Sequence, residues 1–184
     1  MTDIELLKKM ICDEAVVPLQ VYRADNRWKA TLKEEKGKSY FLDVLNIPED
    51  TVVIKSDAFP DTRHFFQGTY GENKRADFIL VSTIKKRIVF IELKAGKAGA
   101  ESELEGQLKG AMCLMDYCRL LGEAFLKKRT FLAKSRYQYR FVSICNLSIS
   151  KKPSRSEKTK AKHDTPEKML KLSSPHHVQF GQLI

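Results

Sequence analysis

Two apolar runs separated by a short basic turn constrain this chain more than any other feature. "ADFILVS" (76–82) and "RIVFIEL" (87–93) are apolar on both faces, and "TIKK" (83–86) lies between them. A strand buried on both faces reads as a continuous apolar run, whereas a half-solvated strand alternates. The pair therefore predicts an antiparallel hairpin in the interior of a sheet.

The second run ends abnormally. Side chains alternate along a strand, so Ile88, Phe90, Glu92 and Lys94 share one face. Val89, Ile91 and Leu93 take the other face, expected under a helix. One face thus turns from apolar to ionic near the strand's end. A buried carboxylate and ammonium are costly unless paired or bound to a metal. Asp77 opens the first run, and hairpin pairing brings it beside Glu92 and Lys94. Such a trio fits a structural ion cluster at the sheet rim. It fits equally a divalent-cation site, because hard oxygen ligands suit Mg²⁺ (or Mn²⁺), which keeps positions for water and a substrate phosphate.

Around this hairpin the pattern is mixed α and β. "TDIELLKKMICDEA" carries a capping box, Thr2 with Glu5, and Ile4, Leu7, Ile11 and Ala15 at helical spacing, predicting a helix over 3–14. "LQVYRA", "RWKATLKEE", "SYFLDVL" and Thr51–Lys55 read as strands. "HFFQGTYGENK" reads as a Gly/Asn-rich loop. A second capping box, Ser102 with Glu105, opens a predicted helix over 102–128, with Leu104, Leu108, Ala111, Met115, Cys118 and Phe125 as its packed stripe. A strand follows over 137–146. Residues 1–150 are expected to form one domain, 151–166 a basic mobile loop or linker, and 167–184 a C-terminal segment docked on the core.

Charge narrows the function classes. The chain of 184 residues carries a formal +10. The first fifty residues are net −2, while 51–100, 101–150 and 151–184 are +4, +3 and +5. The basic excess begins with the ionic strand, which points to a polyanionic partner or serves solubility alone. No apolar run reaches the roughly 20 residues that span a bilayer, so no membrane role is expected. Cys12, Cys113, Cys118 and Cys145 lie in apolar patterns without CxxC spacing, as reduced core residues of a cytoplasmic protein do.

Asp77 followed by Glu92-Leu93-Lys94 resembles the PD-(D/E)xK nuclease superfamily, over residues 75–146. The "FPD" at 59–61 is the literal Pro-Asp, but it sits in a turn far upstream, and Asp77 is preferred because its strand pairs with the ExK strand. The resemblance implies an α/β (α+β) fold with a restriction-endonuclease-like core: a mixed β-sheet flanked by helices in the order αβββαβ. It implies Mg²⁺ (or Mn²⁺) held by Asp77, Glu92 and the Leu93 carbonyl. Lys94 would orient the attacking water, and Gln107 would occupy the glutamine position on the following helix. Glu5 or Glu14 could supply a first-helix acid, and the residues do not choose between them.

The implied activity is metal-dependent hydrolysis of phosphodiester bonds in nucleic acid, DNA ahead of RNA, by a homodimer or a subunit of a larger nuclease complex. Antiviral defence and repair are the settings where such nucleases occur. The alternative is a non-catalytic basic nucleic-acid-binding or complex-forming subunit on the same fold. Lys85, Lys86, Arg87, Lys97, Lys151, Lys152 and Arg155 are the candidate phosphate contacts. Trp28, near Tyr22 and Arg27, is a candidate for base stacking or a half-buried core aromatic. His176 and His177 are adjacent in a strand and therefore make a poor joint metal site.

Overall fold

The computed structural model describes residues 1–23, 27–34, 40–95, 99–145, 162–173 and 176–184. Lys97, Lys151, Lys152 and Arg155 lie outside them. The described residues form a mixed α+β structure with two mixed sheets. The larger sheet has the order β1-β5-β6-β7-β8-β9, built from Val16–Val17, Val52–Lys55, Phe78–Ser82, Arg87–Lys94, Gln138–Cys145 and Leu170–Ser173. The smaller has the order β10-β4-β3-β2, from His177–Gln179, Tyr40–Ile47, Arg27–Glu34 and Gln20–Arg23. No described helix is long and apolar enough to cross a membrane.

The hairpin forms as its sequence requires. β6 pairs antiparallel with β7 from Phe78↔Ile91 to Ser82↔Arg87, and both strands are almost wholly buried. Asp50 fixes the turn, accepting hydrogen bonds from the backbone N–H groups of Thr83 and Ile84 at 2.7 and 2.8 Å. β5 pairs antiparallel with β6, and β8 lies parallel to β7.

The two faces of β7 meet different partners, and one differs from expectation. Ile88 and Phe90 pack under the helices α1 (Asp3–Met10) and α2 (Glu101–Leu126). Val89, Ile91 and Leu93 pack under the smaller β-sheet, against residues such as Leu32, Leu42 and Val44. A sheet that alternates polar outside and apolar inside covers a flat face as well as a helix does. Tyr40, Leu42, Val44 and Ile47 all face in because Asn46, at φ 56°, forms a bulge that resets the alternation.

Helix boundaries depart from the sequence pattern for local reasons. α1 stops at Met10, and Asp13–Ala15 is a separate 3-10 turn, so Ala15 is not on the helix. The Thr2–Glu5 capping box is present. α2 starts at Glu101 with Ala100 as its N-cap, so Ser102 and Glu105 make no cap. Phe125 is exposed, not part of the stripe. Gly122 takes the buried position instead, and Phe131 folds back onto it so closely that a Cβ there would lie 2.1 Å from the ring. Cys12 and Cys113 are exposed rather than core residues.

The C-terminal segment is held by both sheets. β9 extends β8 in parallel, and β10 pairs in parallel with β4. Within 151–166, the described residues 162–166 touch the body at two points: the His163 carbonyl accepts from Phe141 N at 2.9 Å, and Pro166 is buried.

Candidate functional site

The site is built where the hairpin leaves its apolar core. Phe78 pairs with Ile91, so one step further Asp77 falls opposite Glu92. Directly opposed side chains lie about 5 Å apart at Cβ and point to the same side of the sheet. Asp77 Oδ2 accepts a hydrogen bond from Leu93 N at 2.7 Å. Lys94 Nζ lies 2.6 Å from Glu92 Oε1, with Glu92 1 % and Lys94 26 % exposed at the side chain. The structure therefore brings Asp77, Glu92 and Lys94 together on the helix-covered face.

Three elements fix Asp77. Ser56 N donates to the Asp77 carbonyl at 2.8 Å, and Ala76 N donates to the Gln107 carbonyl at 2.7 Å. Gly110 lets α2 approach: a Cβ there would lie 1.7 Å from the Lys74 carbonyl oxygen. Gln107 thus stands beside Asp77 through its backbone. Its side-chain Oε1 is buried and accepts no hydrogen bond from any described residue.

Electrostatics hold Lys94 charged. Burial pulls its pKa down, but the hydrogen bond to Glu92 and the negative charges of Glu92, Asp77 and Glu103 outweigh that and raise it above its ordinary value. Glu103 is a neighbour that sequence reasoning missed. Its signal was an acidic residue in the first turn of the helix after the motif, which normally reads as dipole compensation.

The remaining candidates lie elsewhere. The basic turn is at the opposite end of β7, seven residues or about 23 Å from Lys94 at the usual strand rise. Arg87 donates to the carbonyls of Lys85 and Lys86, and the Lys86 ammonium lies 5.5 Å from the centre of the Tyr137 ring. Lys85 lines a groove of about 440 Å³ with Arg27, Trp28 and Asn46. Glu5 is at that far end too: its carboxylate accepts from Thr2 N, two residues from Asp3, which bonds Tyr137. The turn carrying Glu14 touches the Ser56–Ala58 turn, whose Ser56 bonds Asp77. Asp61 of "FPD" caps the turn Thr62–His64 and pairs with Arg63, which holds its pKa down at about 2. His177 lies beside Asp43, away from Glu92.

Among the described residues no three His, Cys, Asp or Glu side chains gather as a metal-ligand group. The oxygens that meet at this strand end are the Asp77 and Glu92 carboxylates, hard donors compatible with Mg²⁺, which needs one or two carboxylates and takes the rest from substrate and water. No protein-family model, curated protein or solved structure matches the chain.

Proposed function

We propose that the chain is a metal-dependent nuclease of the PD-(D/E)xK kind that hydrolyses phosphodiester bonds in nucleic acid, DNA ahead of RNA. The observation that carries this reading is the convergence of Asp77, Glu92 and Lys94 at one strand end. The order α1, β5, β6, β7, α2, β8, antiparallel up to β7 and parallel at β8, supports a restriction-endonuclease-like core, with the smaller sheet as an addition.

Asp77 and Glu92 would hold Mg²⁺ (or Mn²⁺), with the Leu93 carbonyl, and the ion would supply Lewis-acid charge and a more acidic water. Lys94, kept protonated by its carboxylate neighbours, serves as a hydrogen-bond donor and a fixed positive charge. In that state it orients a water for in-line attack and offsets the charge that develops on the phosphoryl oxygens. It is not a general base while the hydrogen bond to Glu92 and the charges of Glu92, Asp77 and Glu103 keep it protonated. Gln107 would take the glutamine position on the following helix, where its backbone carbonyl accepts from Ala76 N. A cytoplasmic setting, and a second copy or larger complex for cutting both strands, belong to the same reading.

One observation favours a second reading. Glu92 already faces a cation at 2.6 Å, as it would in a structural ion cluster of a binding module that does not cut.

The test is cleavage of plasmid, linear duplex, single-stranded DNA and RNA with Mg²⁺, Mn²⁺ or EDTA, beside Lys94→Ala. Metal-dependent cutting that the variant loses supports the nuclease. No cutting by the folded wild type, with salt-sensitive binding kept, selects the binding module.

A further inference from the structure

The loop that leads into Asp77 is fixed in shape yet presents aromatic rings to water. Phe65, Phe66 and Tyr70 are 83, 44 and 95 % exposed. The backbone beneath them is bonded throughout. Glu72 accepts from the N–H groups of Gly68 and Tyr70 at 2.9 and 2.8 Å. Asn73 donates to the Phe66 carbonyl at 3.1 Å and accepts from the Thr62 hydroxyl at 2.9 Å. Gly68 and Gly71 adopt the left-handed φ values of 82° and 83° that these bonds require. Arg75 donates to the carbonyls of Phe59 and Pro60, tying the loop's start to its end.

Large exposed aromatics on an ordered loop mark an interaction surface, because folding otherwise removes such area from water. Here they are interleaved with the polar Gln67, Thr69 and Asn73 and flanked by the exposed cation Lys74 and by Arg63, which is paired with Asp61. A groove of about 680 Å³ lies beside Phe66, lined also by Asp57, Asp61, Gln67, Asn73 and Lys74, with Phe65 and Tyr70 outside its lining. Lys74 to Ala76 then pass along α2 into Asp77. Tyr70 is seven positions before Asp77, so their Cα atoms are at most about 25 Å apart.

We propose that this loop is the substrate-holding surface of the Asp77–Glu92–Lys94 site and that it takes single-stranded nucleic acid. Bases stack on Phe65, Phe66 and Tyr70 while Lys74 meets phosphate. Rings set among polar residues with a cation at the loop's end suit a strand that offers base faces and phosphates together. In a duplex the base faces are covered by their neighbours, so only unpaired bases can stack on side chains. The proposal rests on the nuclease reading for the role of the site, and on the loop alone for binding.

The test is fluorescence anisotropy of the full chain in EDTA, with a labelled oligothymidylate single strand and a mixed-sequence duplex of equal length. The single strand should bind more tightly. The double variant Phe65→Ala/Tyr70→Ala should weaken it about tenfold or more while shifting duplex affinity by about twofold or less, and Tyr70→Phe should leave both unchanged. The exposed positions leave the melting temperature unaltered. Unchanged single-strand affinity in the double variant, equal losses on both substrates, or a wild type that prefers duplex overturns the proposal. Metal-dependent cutting lost in Lys94→Ala, with binding indifferent to the loop, would remove this surface and keep the nuclease. Loop-dependent binding without any cutting would keep the strand-binding surface and remove the nuclease.

Discussion

One step beyond the last β6–β7 pair, Phe78↔Ile91, Asp77 bonds Leu93 N and, with Glu92, acts on the Lys94 ammonium, so two carboxylates meet at this strand end. Opposed like charges destabilise a strand pair by a fraction of a kcal/mol to about 1 kcal/mol. The Leu93 N–H and the Lys94 ammonium offset that repulsion. Asp77→Asn keeps an acceptor for Leu93 N and removes one charge. In EDTA its melting temperature should equal the wild type's or exceed it by about 2–4 °C. Mg²⁺ should raise the wild-type value by binding the folded state, and should not raise the variant's. A Mg²⁺ shift that survives in Asp77→Asn would take Asp77 out of the ligand set.

Glu92 depends on Lys94 for stability as well as chemistry. Removing one member of a buried pair costs about 3–5 kcal/mol. Lys94 is partly exposed, so Lys94→Met should cost less, about 2–3 kcal/mol. The double variant Glu92→Gln/Lys94→Met should recover more than half of that loss in urea unfolding, yet cut nothing. Because the Lys94 pKa is raised, its contribution is complete below the ordinary lysine value of 10.5 and is lost as pH rises through the higher folded value. A stable Lys94→Met would show that other donors hold Glu92.

How much of this was legible follows the range of the interactions. The hairpin and its ionic end could be read because the apolar runs, the turn and the two-residue alternation are local. Asp77 could be placed opposite Glu92 from the turn alone. The smaller sheet could not be assembled, because β10 joins β4 more than 130 residues away in the chain, and no local pattern encodes a parallel partner. Phe125 fitted the helical stripe, but Phe131 returning onto Gly122 displaced it. Gln107 was legible by position, although what ties it to Asp77 is a backbone carbonyl that any residue could supply.

Gly106 and Gly110 lie one turn apart on α2 and should respond oppositely to alanine. Alanine is the better helix former by about 1 kcal/mol. At Gly106 a Cβ would meet only the flexible Lys74 side chain at 3.4 Å, so Gly106→Ala should be neutral or slightly stabilising. At Gly110 it would collide with the Lys74 carbonyl at 1.7 Å. The segment before Asp77 would have to leave the helix, straining the Ala76–Gln107 bond. Gly110→Ala should cost about 2 kcal/mol or more, within the usual range for overpacking, and chemical denaturation of the two variants decides it. Equal stabilisation by both would mean that α2 and the 74–76 segment are further apart than the structure has them.

Asp3 gives the fold a dependence on acid that is separate from the site. Its carboxylate is 3 % exposed and lies 3.1 Å from Lys128 Nζ and 3.4 Å from Arg136 Nη1. The Tyr137 hydroxyl donates to it at 2.9 Å. Burial pushes the Asp3 pKa up, but the bonds from Lys128 and Tyr137 and the two positive charges hold it below the ordinary 3.8. A carboxylate with a depressed folded pKa stabilises fully above its unfolded value, and that stability is lost as pH falls through the folded one. Asp3→Asn removes the charge and turns an amide N–H₂ towards two cations. It should lower stability by about 2 kcal/mol at pH 7, and the gap to wild type should shrink as pH falls below 3.8. Urea unfolding of both proteins at neutral and acid pH measures it. A gap that stays constant with pH would mean that the loss comes from packing rather than from the Asp3 charge.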